Sequence, residues 1–199
     1  MGGDRQNTKA EILETTIPLF ANRGYAGVSM RQIAQAVGIK AASLYHHFPD
    51  KGTLYIEALA QAFSKYAAFM SESFALQTRP EQRLHHLIHH LCIIVHEDDN
   101  FSKLMQREIM DGNEKRLELL ADQVFSDFFQ DMNELCLLLA PDHDPHLMSV
   151  SILGQIIYHF QITPIRPFLP GYSPEHDKAE IIAQHIMNLL TNGLNNSSE

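Results

Sequence analysis

No stretch of this chain approaches the roughly 18 consecutive apolar residues that a membrane span requires, so no transmembrane helix is expected. Cysteine is scarce. Cys92 and Cys136 are the only two, both inside apolar helical patterns and without framework spacing, which excludes a disulfide-stapled secreted fold. The N-terminus lacks the charged-then-apolar layout of a signal peptide, and the Met1-Gly2 start fails the myristoylation pattern because Gln6 stands where Ser or Thr is needed. A cytoplasmic location is the expectation. Alternating strand patterns and internal repeats are missing as well. So is a recognisable nucleophile or metal triad, and neither enzymatic activity nor a cofactor is expected. Basic charge is in short supply, 15 Lys and Arg against 24 Asp and Glu for a net charge of −9. On its own this argues against nucleic-acid binding, which needs clustered cations to neutralise phosphates.

The distribution of charge reverses that last reading. Residues 1–51 hold six basic groups, Arg5, Lys9, Arg23, Arg31, Lys40 and Lys51, against Asp4, Glu11, Glu14 and Asp50, so this end stands at +2 and the remainder at −11. A mildly basic head on an acidic body is expected when one end meets DNA and the other does something else. With 199 residues and 45% apolar content, a real core is available. Helical periods and cap signals predict an all-α fold of nine helices. Thr8 and Glu11 have capping-box spacing at the start of the first, with Leu13, Ile17 and Phe20 as its buried stripe, Pro18 as a bend and Gly24 as its end. Ser29 and Gln32 repeat the device for a second helix that stops at Gly38, with Ile33, Ala34 and Val37 inward. A third runs from Lys40 or Ala41 to Phe48, with Leu44 and Phe48 as its core pair. Asp50 caps a fourth through about Leu76, whose inward positions include Leu54, Ala58, Ala62 and Phe69. Further helices start at Pro80, Asn100, Asn113 and Asp144-Pro145; Ser173-Pro174 caps the last, which frays after Gly193. Residues 1–50 read as a head and residues 51–199 as a body.

Residues 29–51, SMRQIAQAVGIKAASLYHHFPDK, are the most informative stretch. Two short helices joined by a glycine turn form a helix-turn-helix, which places its second helix in the DNA major groove. Ser29 offers a hydroxyl and a helix N-terminus to a phosphate oxygen, and Arg31, one turn in, reaches a guanine edge or a neighbouring phosphate. The short side chains of Ala41, Ala42 and Ser43 permit close entry into the groove. Tyr45, His46, His47 and Lys51 are donors suited to the DNA backbone. Tyr45 and His47 have a second reading as packing residues for the fourth helix.

The order RGYAGVSMRQIAQAVGIKAASLYHHFPDKGTL resembles the N-terminal signature of TetR family transcriptional regulators over about residues 9 to 60. The likeness lies in Arg23-Gly24-Tyr25, Ile33-Ala34, Gly38, Leu44-Tyr45, His47-Phe48 and Lys51. It implies a homodimer with a three-helix DNA-binding head and a larger helical body that binds a small ligand and supplies the dimer interface. It carries DNA contact onto Ser29, Arg31, Lys40, Ala41, Ala42, Ser43, Tyr45, His46, His47 and Lys51. Three positions depart from the usual pattern. Lys40 stands where the family often has a capping Ser or Thr, Gly52 where an acidic helix-former is common, and Pro18 interrupts the first helix.

In the body, RLHHLIHHLCIIVHE sets five histidines on one helix. His85, His89 and Cys92 fall along one edge of its apolar face and are candidate ligands for Zn²⁺, Cu⁺ or Ni²⁺, although one helix cannot complete a site. Boundary histidines, or histidines lining a pocket, are the other readings. A largely apolar effector pocket with a few polar anchors is expected to draw on His89, Met105, Arg107, Phe125, Phe128, Gln155, Tyr158 and His159. The last two long helices resemble in position the family's dimer interface, where Ser149 and Gly154 permit close approach and Ile152, Ile156, Ile181, Ile182, Ile186 and Leu189 supply apolar area. The expectation is a regulator, a repressor that binds a palindromic double-stranded operator as a homodimer and is released by a small-molecule effector. The alternatives are a metal sensor using the histidine helix, or a DNA-binding dimer without a ligand.

Overall fold

The computed structural model describes the backbone of residues 3–192 and, within it, the side chains of residues 9–64 and 70–192. Every regular element among the described residues is helical. Ten α-helices follow in order: α1 (Gly3–Arg23), α2 (Met30–Val37), α3 (Ala41–His47), α4 (Lys51–Ala75), α5 (Pro80–Glu97), α6 (Asp99–Asp111), α7 (Glu114–Leu120), α8 (Ser126–Leu139), α9 (Pro145–Gln161) and α10 (Ala179–Asn192). The count exceeds the predicted nine because a π-helical turn, Ala121–Phe125, interrupts the single helix expected from Asn113 to about Leu139. The expected inward position Phe69 and the expected fraying at Gly193 lie outside the described residues.

Local chemistry explains most boundaries. Ser29 caps α2 in a full capping box, its hydroxyl accepting from the Gln32 N–H while its own N–H donates to the Gln32 side chain at 2.8 Å. Gly38 ends α2 with φ at +80°, and the Ile39 N–H closes back onto the Ala34 carbonyl at 2.9 Å, a left-handed turn for which glycine carries no Cβ penalty. Lys40 makes no cap, as its side chain requires. The Asp50 carboxylate accepts from the Thr53 N–H at 2.7 Å and opens α4. Two expected starts move. Helix α1 begins at Gly3, upstream of Thr8, so the helix start is not at Thr8. Helix α10 begins at Ala179 because Lys178 is extended; Ser173 instead caps the separate 3-10 turn Pro174–Asp177.

The chain divides into two compact units, Met1–Lys65 with Asp99–Ser126 and Tyr66–Asp98 with Asp127–Glu199. The first is built around Ile12, Phe20, Ile33, Leu44, Phe48, Leu54, Tyr55, Leu59 and Leu104, all essentially removed from solvent. Burying each such side chain contributes about 1.5–3 kcal/mol relative to exposure. Helix α6 packs on α1, and α1 on α2, so the helix-turn-helix rests on a core shared with a segment distant in sequence.

The second unit packs α5 against α9 and α10 around Leu87, Ile88, Cys92, Met132, Cys136, Ile152, Ile156 and Ile186. This corrects the expected docking face. Ser149, Ile152, Ile156, Ile182 and Ile186 are buried within the unit, and only Gly154, Ile181 and Leu189 of the expected set are exposed. The outward face of α9 carries Leu147, Val150, Ile157 and Tyr158 instead. Both faces of α9 are apolar at helical spacing, so period alone could not choose between them.

Candidate nucleic-acid interface

Capping by Ser29 and the Gly38 turn fix α2 and α3 as a rigid pair, with Met30, Ile33, Ala34 and Leu44 turned into the core. What remains outward is polar or small. Ser29, Arg31, Lys40, Ala42, Ser43, Tyr45 and His46 are exposed, while Ala41 and His47 are half-buried. An open depression of about 580 Å³ is lined by Ser29, Arg31, Gln32, Ala34, Gln35, Ile39 and Ala41. Gln35 was missed by sequence reasoning. It lies one turn beyond Arg31 on the outward face of α2, and its amide can donate and accept toward base edges; that helical spacing was the available signal.

Lys51 behaves differently from its neighbours. Its ammonium donates to the Tyr25 carbonyl at 2.9 Å and the Val28 carbonyl at 3.1 Å, and lies 4.2 Å from the centre of the Tyr25 ring. Two of its three donors are thus spent on closing the turn between α1 and α2. The same turn has no room at Gly27, where an added Cβ would stand 2.2 Å from the Arg23 carbonyl oxygen. Lys51 is first a strut of the head. Lys9 is likewise engaged, in an ion pair with Glu57 at 2.6 Å.

Behind the turn lies a charge network that the sequence did not disclose. Glu108 on α6 is fully buried, and its carboxylate accepts from the Tyr55 hydroxyl and from Arg116 Nε, both at 2.8 Å. Arg116 also pairs with Asp111 at 3.1 Å, and its guanidinium sits 4.4 Å from the same Tyr25 ring that faces Lys51. Burial, then the Glu108 hydrogen bond, pushes the Tyr55 hydroxyl far above its ordinary range, so Tyr55 stays a donor. Burial opposes the charge on Arg116, but its bond to Glu108 and the charge of that carboxylate outweigh it and hold the guanidinium protonated. Arg107, one residue before Glu108, donates to the Ala21 carbonyl at 2.8 Å and the Asn22 carbonyl at 2.9 Å. It caps the C-terminal end of α1 and is not free to anchor an effector.

The other expected effector residues divide between the units. Met105 and Phe125 pack against the first core, Phe125 edge-on to Phe63. In the second unit Phe128 packs on Phe74, Tyr158 is exposed on the outer face of α9, His159 lies beside Arg166, and the Gln155 carbonyl oxygen is buried without a hydrogen-bond partner. His89 is half-buried and stacks on His85 at 6.5 Å. A second open depression, about 280 Å³, is lined by Ile93, His96, Glu97, Lys178, Ala179 and Glu180; none of the eight expected residues lines it. Among the described residues no three His, Cys, Asp or Glu side chains are gathered to hold a metal ion. Cys92 is fully buried and its thiol is pushed up to about 12 by that burial, so it stays a neutral thiol packed in the core of the second unit. No helix among the described residues is long and apolar enough to cross a membrane.

A head of this build, with its polar face outward and its turn locked from behind, is a helix-turn-helix. Residues 12–58 match the family described as bacterial regulatory proteins, tetR family. Over those residues, the head of the chain, the sequence is similar to that family. Over 62 residues it is 34% identical to IcaR of Staphylococcus epidermidis, a negative transcriptional regulator of the biofilm operon icaADBC, covering 31% of this chain and 34% of IcaR. The match to IcaR of Staphylococcus aureus is 40% over 55 residues, covering 28% of this chain and 30% of that protein. The matched segment thus spans about a third of these curated relatives. The fold extends further. FadR of Bacillus subtilis, solved with stearoyl-CoA, superposes with a TM-score of 0.77 at 15% identity over 93% of this chain and 98% of its own. AibR, solved with isovaleryl coenzyme A and operator DNA, gives 0.71 at 22% identity over 92% and 97%.

Proposed function

We propose that this protein is a ligand-responsive transcriptional repressor that binds a palindromic operator as a homodimer and is released by a small-molecule effector. The reading makes residues 1–50 the DNA-binding head and residues 51–199 the ligand-binding and dimerisation domain, working in the cytoplasm without catalytic chemistry. One observation carries it: the outward face of α2 and α3 keeps Arg31, Lys40, Ser43, Tyr45 and His46 exposed on a pair whose geometry is locked from within. Cations and small residues on one short helix pair suit phosphate positioning and close groove entry. Dimerisation follows the exposed stripe Leu147, Val150, Ile157 and Tyr158 on α9 with Ile181 and Leu189 on α10, since two half-sites one helical turn apart need two heads. Two fold neighbours were solved with acyl-CoA thioesters, which makes an acyl-CoA the first effector class to test here.

The test is operator selection from random-sequence DNA with the full chain, followed by affinity measured at two salt concentrations. The parent should bind one palindromic sequence, more weakly at the higher salt. Arg31→Ala should weaken specific binding by about 1–3 kcal/mol with folding stability unchanged. Repeated selection that enriches no sequence would sink the reading. An operator complex indifferent to acyl-CoA thioesters of every chain length would remove that effector class.

A further inference from the structure

Residues 162–178 join α9 to α10, and their two sides differ sharply in chemistry. Inward, Arg166 is buried, and its guanidinium donates to the carbonyls of His159 and His176 and to the Asp177 carboxylate at 3.0 Å. The Tyr172 hydroxyl donates to the other Asp177 oxygen at 2.6 Å. Pro164, Pro167, Pro170 and Pro174 further restrict the backbone. Outward, Ile165, Phe168 and Leu169 are 55%, 82% and 45% exposed, and none of them joins either hydrophobic core. A loop held this firmly by its polar half presents its apolar side chains from a fixed backbone.

We propose that residues 165–169 are a preformed arm that docks on a second copy of this chain, extending the dimer face of α9 and α10. The inference rests on the dimer reading above. The occupant follows from continuity. Arg166 fastens the arm to the carbonyl of His159, the residue after Tyr158 on the outward stripe of α9, and to Asp177, just ahead of α10 and its exposed Ile181. Both anchor points therefore lie at the ends of the two helices whose outer faces need a partner. An aromatic carried on a fastened backbone loses less entropy on docking than one on a mobile loop, which is how a small contact comes to dominate an interface. In a two-fold dimer each arm acts on the other copy, so its contribution counts twice.

The chain contains no tryptophan, so Phe168→Trp places a single fluorophore on the arm. In the full chain, sedimentation and emission are followed together through a dilution series. The expected result is a dimer whose indole emission is blue-shifted and protected from quenching, both signals reverting to those of a water-exposed indole at the dilution where sedimentation reports dissociation. Phe168→Ser should raise the dimer Kd by about tenfold or more, with circular dichroism unchanged. A dimer whose indole stays water-exposed throughout, or a Phe168→Ser dimer within about twofold of the parent, overturns the arm and leaves the dimer standing. A parent that sediments as a monomer at every concentration overturns the dimer reading and the arm with it. Ile157→Arg, which should dissociate the dimer through α9 alone, separates the two cases.

Discussion

Each unit withdraws a cation from solvent, and the two use it at different depths. In the first, Arg116 pairs with a carboxylate that has no solvent exposure and lies against Tyr25, with Lys51 at the same ring; charge is built into the centre of the unit. In the second, Arg166 closes a connection between helices, its carboxylate partner Asp177 remaining partly exposed, while the core beneath is built of apolar side chains with the neutral Ser149 hydroxyl among them. A buried pair is costly to break because the partner left behind cannot be resolvated. A loop clasp broken at the surface is largely compensated by water. The first unit's geometry is thus tied to electrostatics that tolerate little change, whereas the second can alter a loop without losing its core.

The sharpest way to break this comparison is Glu108→Ala. It leaves Arg116 charged and mostly buried, and should cost about 3–5 kcal/mol in urea unfolding of the full chain, with operator affinity falling alongside. A loss below about 1 kcal/mol would show that the pair does not hold the unit together. Next comes the matched pair Lys51→Met and Arg166→Met. The first removes two charge-assisted bonds across the turn after α1 and should cost about 2 kcal/mol. The second should cost about 1 kcal/mol globally while exposing residues 162–178 to limited proteolysis. Equal global losses with no new cleavage would erase the distinction between core and clasp.

The smallest effect is expected with pH, and from the second unit. His159 is held below the usual imidazole value by burial, then by Arg166 and His185; His86 is lowered by burial and by His90, His89 and His85. A histidine lowered in the fold is protonated more readily once unfolded, so the associated stability is complete above about pH 6.5 and is lost as pH falls through that value toward the folded pKa. Thermal unfolding between pH 7 and 5 should show a shallow decline, flattened by His159→Gln. A rise in stability on acidification would contradict the sign.

The head was legible because its signals are local. Ser29 with Gln32, Gly38 and Asp50 each act within a few residues, and the structure uses all of them as read. What escaped notice depends on chain segments far apart. The ammonium of Lys51 reaches carbonyls 26 and 23 residues back, and Arg107 reaches α1 from α6. Neither engagement can be seen from spacing, and both residues had been expected to face a ligand or DNA. On α9 the difficulty was symmetry: Ile152 and Ile156 point inward, Val150 and Ile157 outward, and a periodicity that fits both faces selects neither. Glu108 was not legible as a core residue, because nothing local marks a charged side chain as buried.

The π-helical turn at Ala121–Phe125 bears on how this chain can change in length. Such a turn accommodates one residue more than the α-helix around it needs, as an unrepaired insertion would. Elsewhere in α8, gaining or losing one residue would rotate everything beyond it by about 100° and swing Met132, Leu135 and Cys136 out of their core. Removing Gln123, which is exposed within the turn, would instead turn the π-helical segment into ordinary α-helix. The turn is where this helix can shed a residue without re-addressing its side chains.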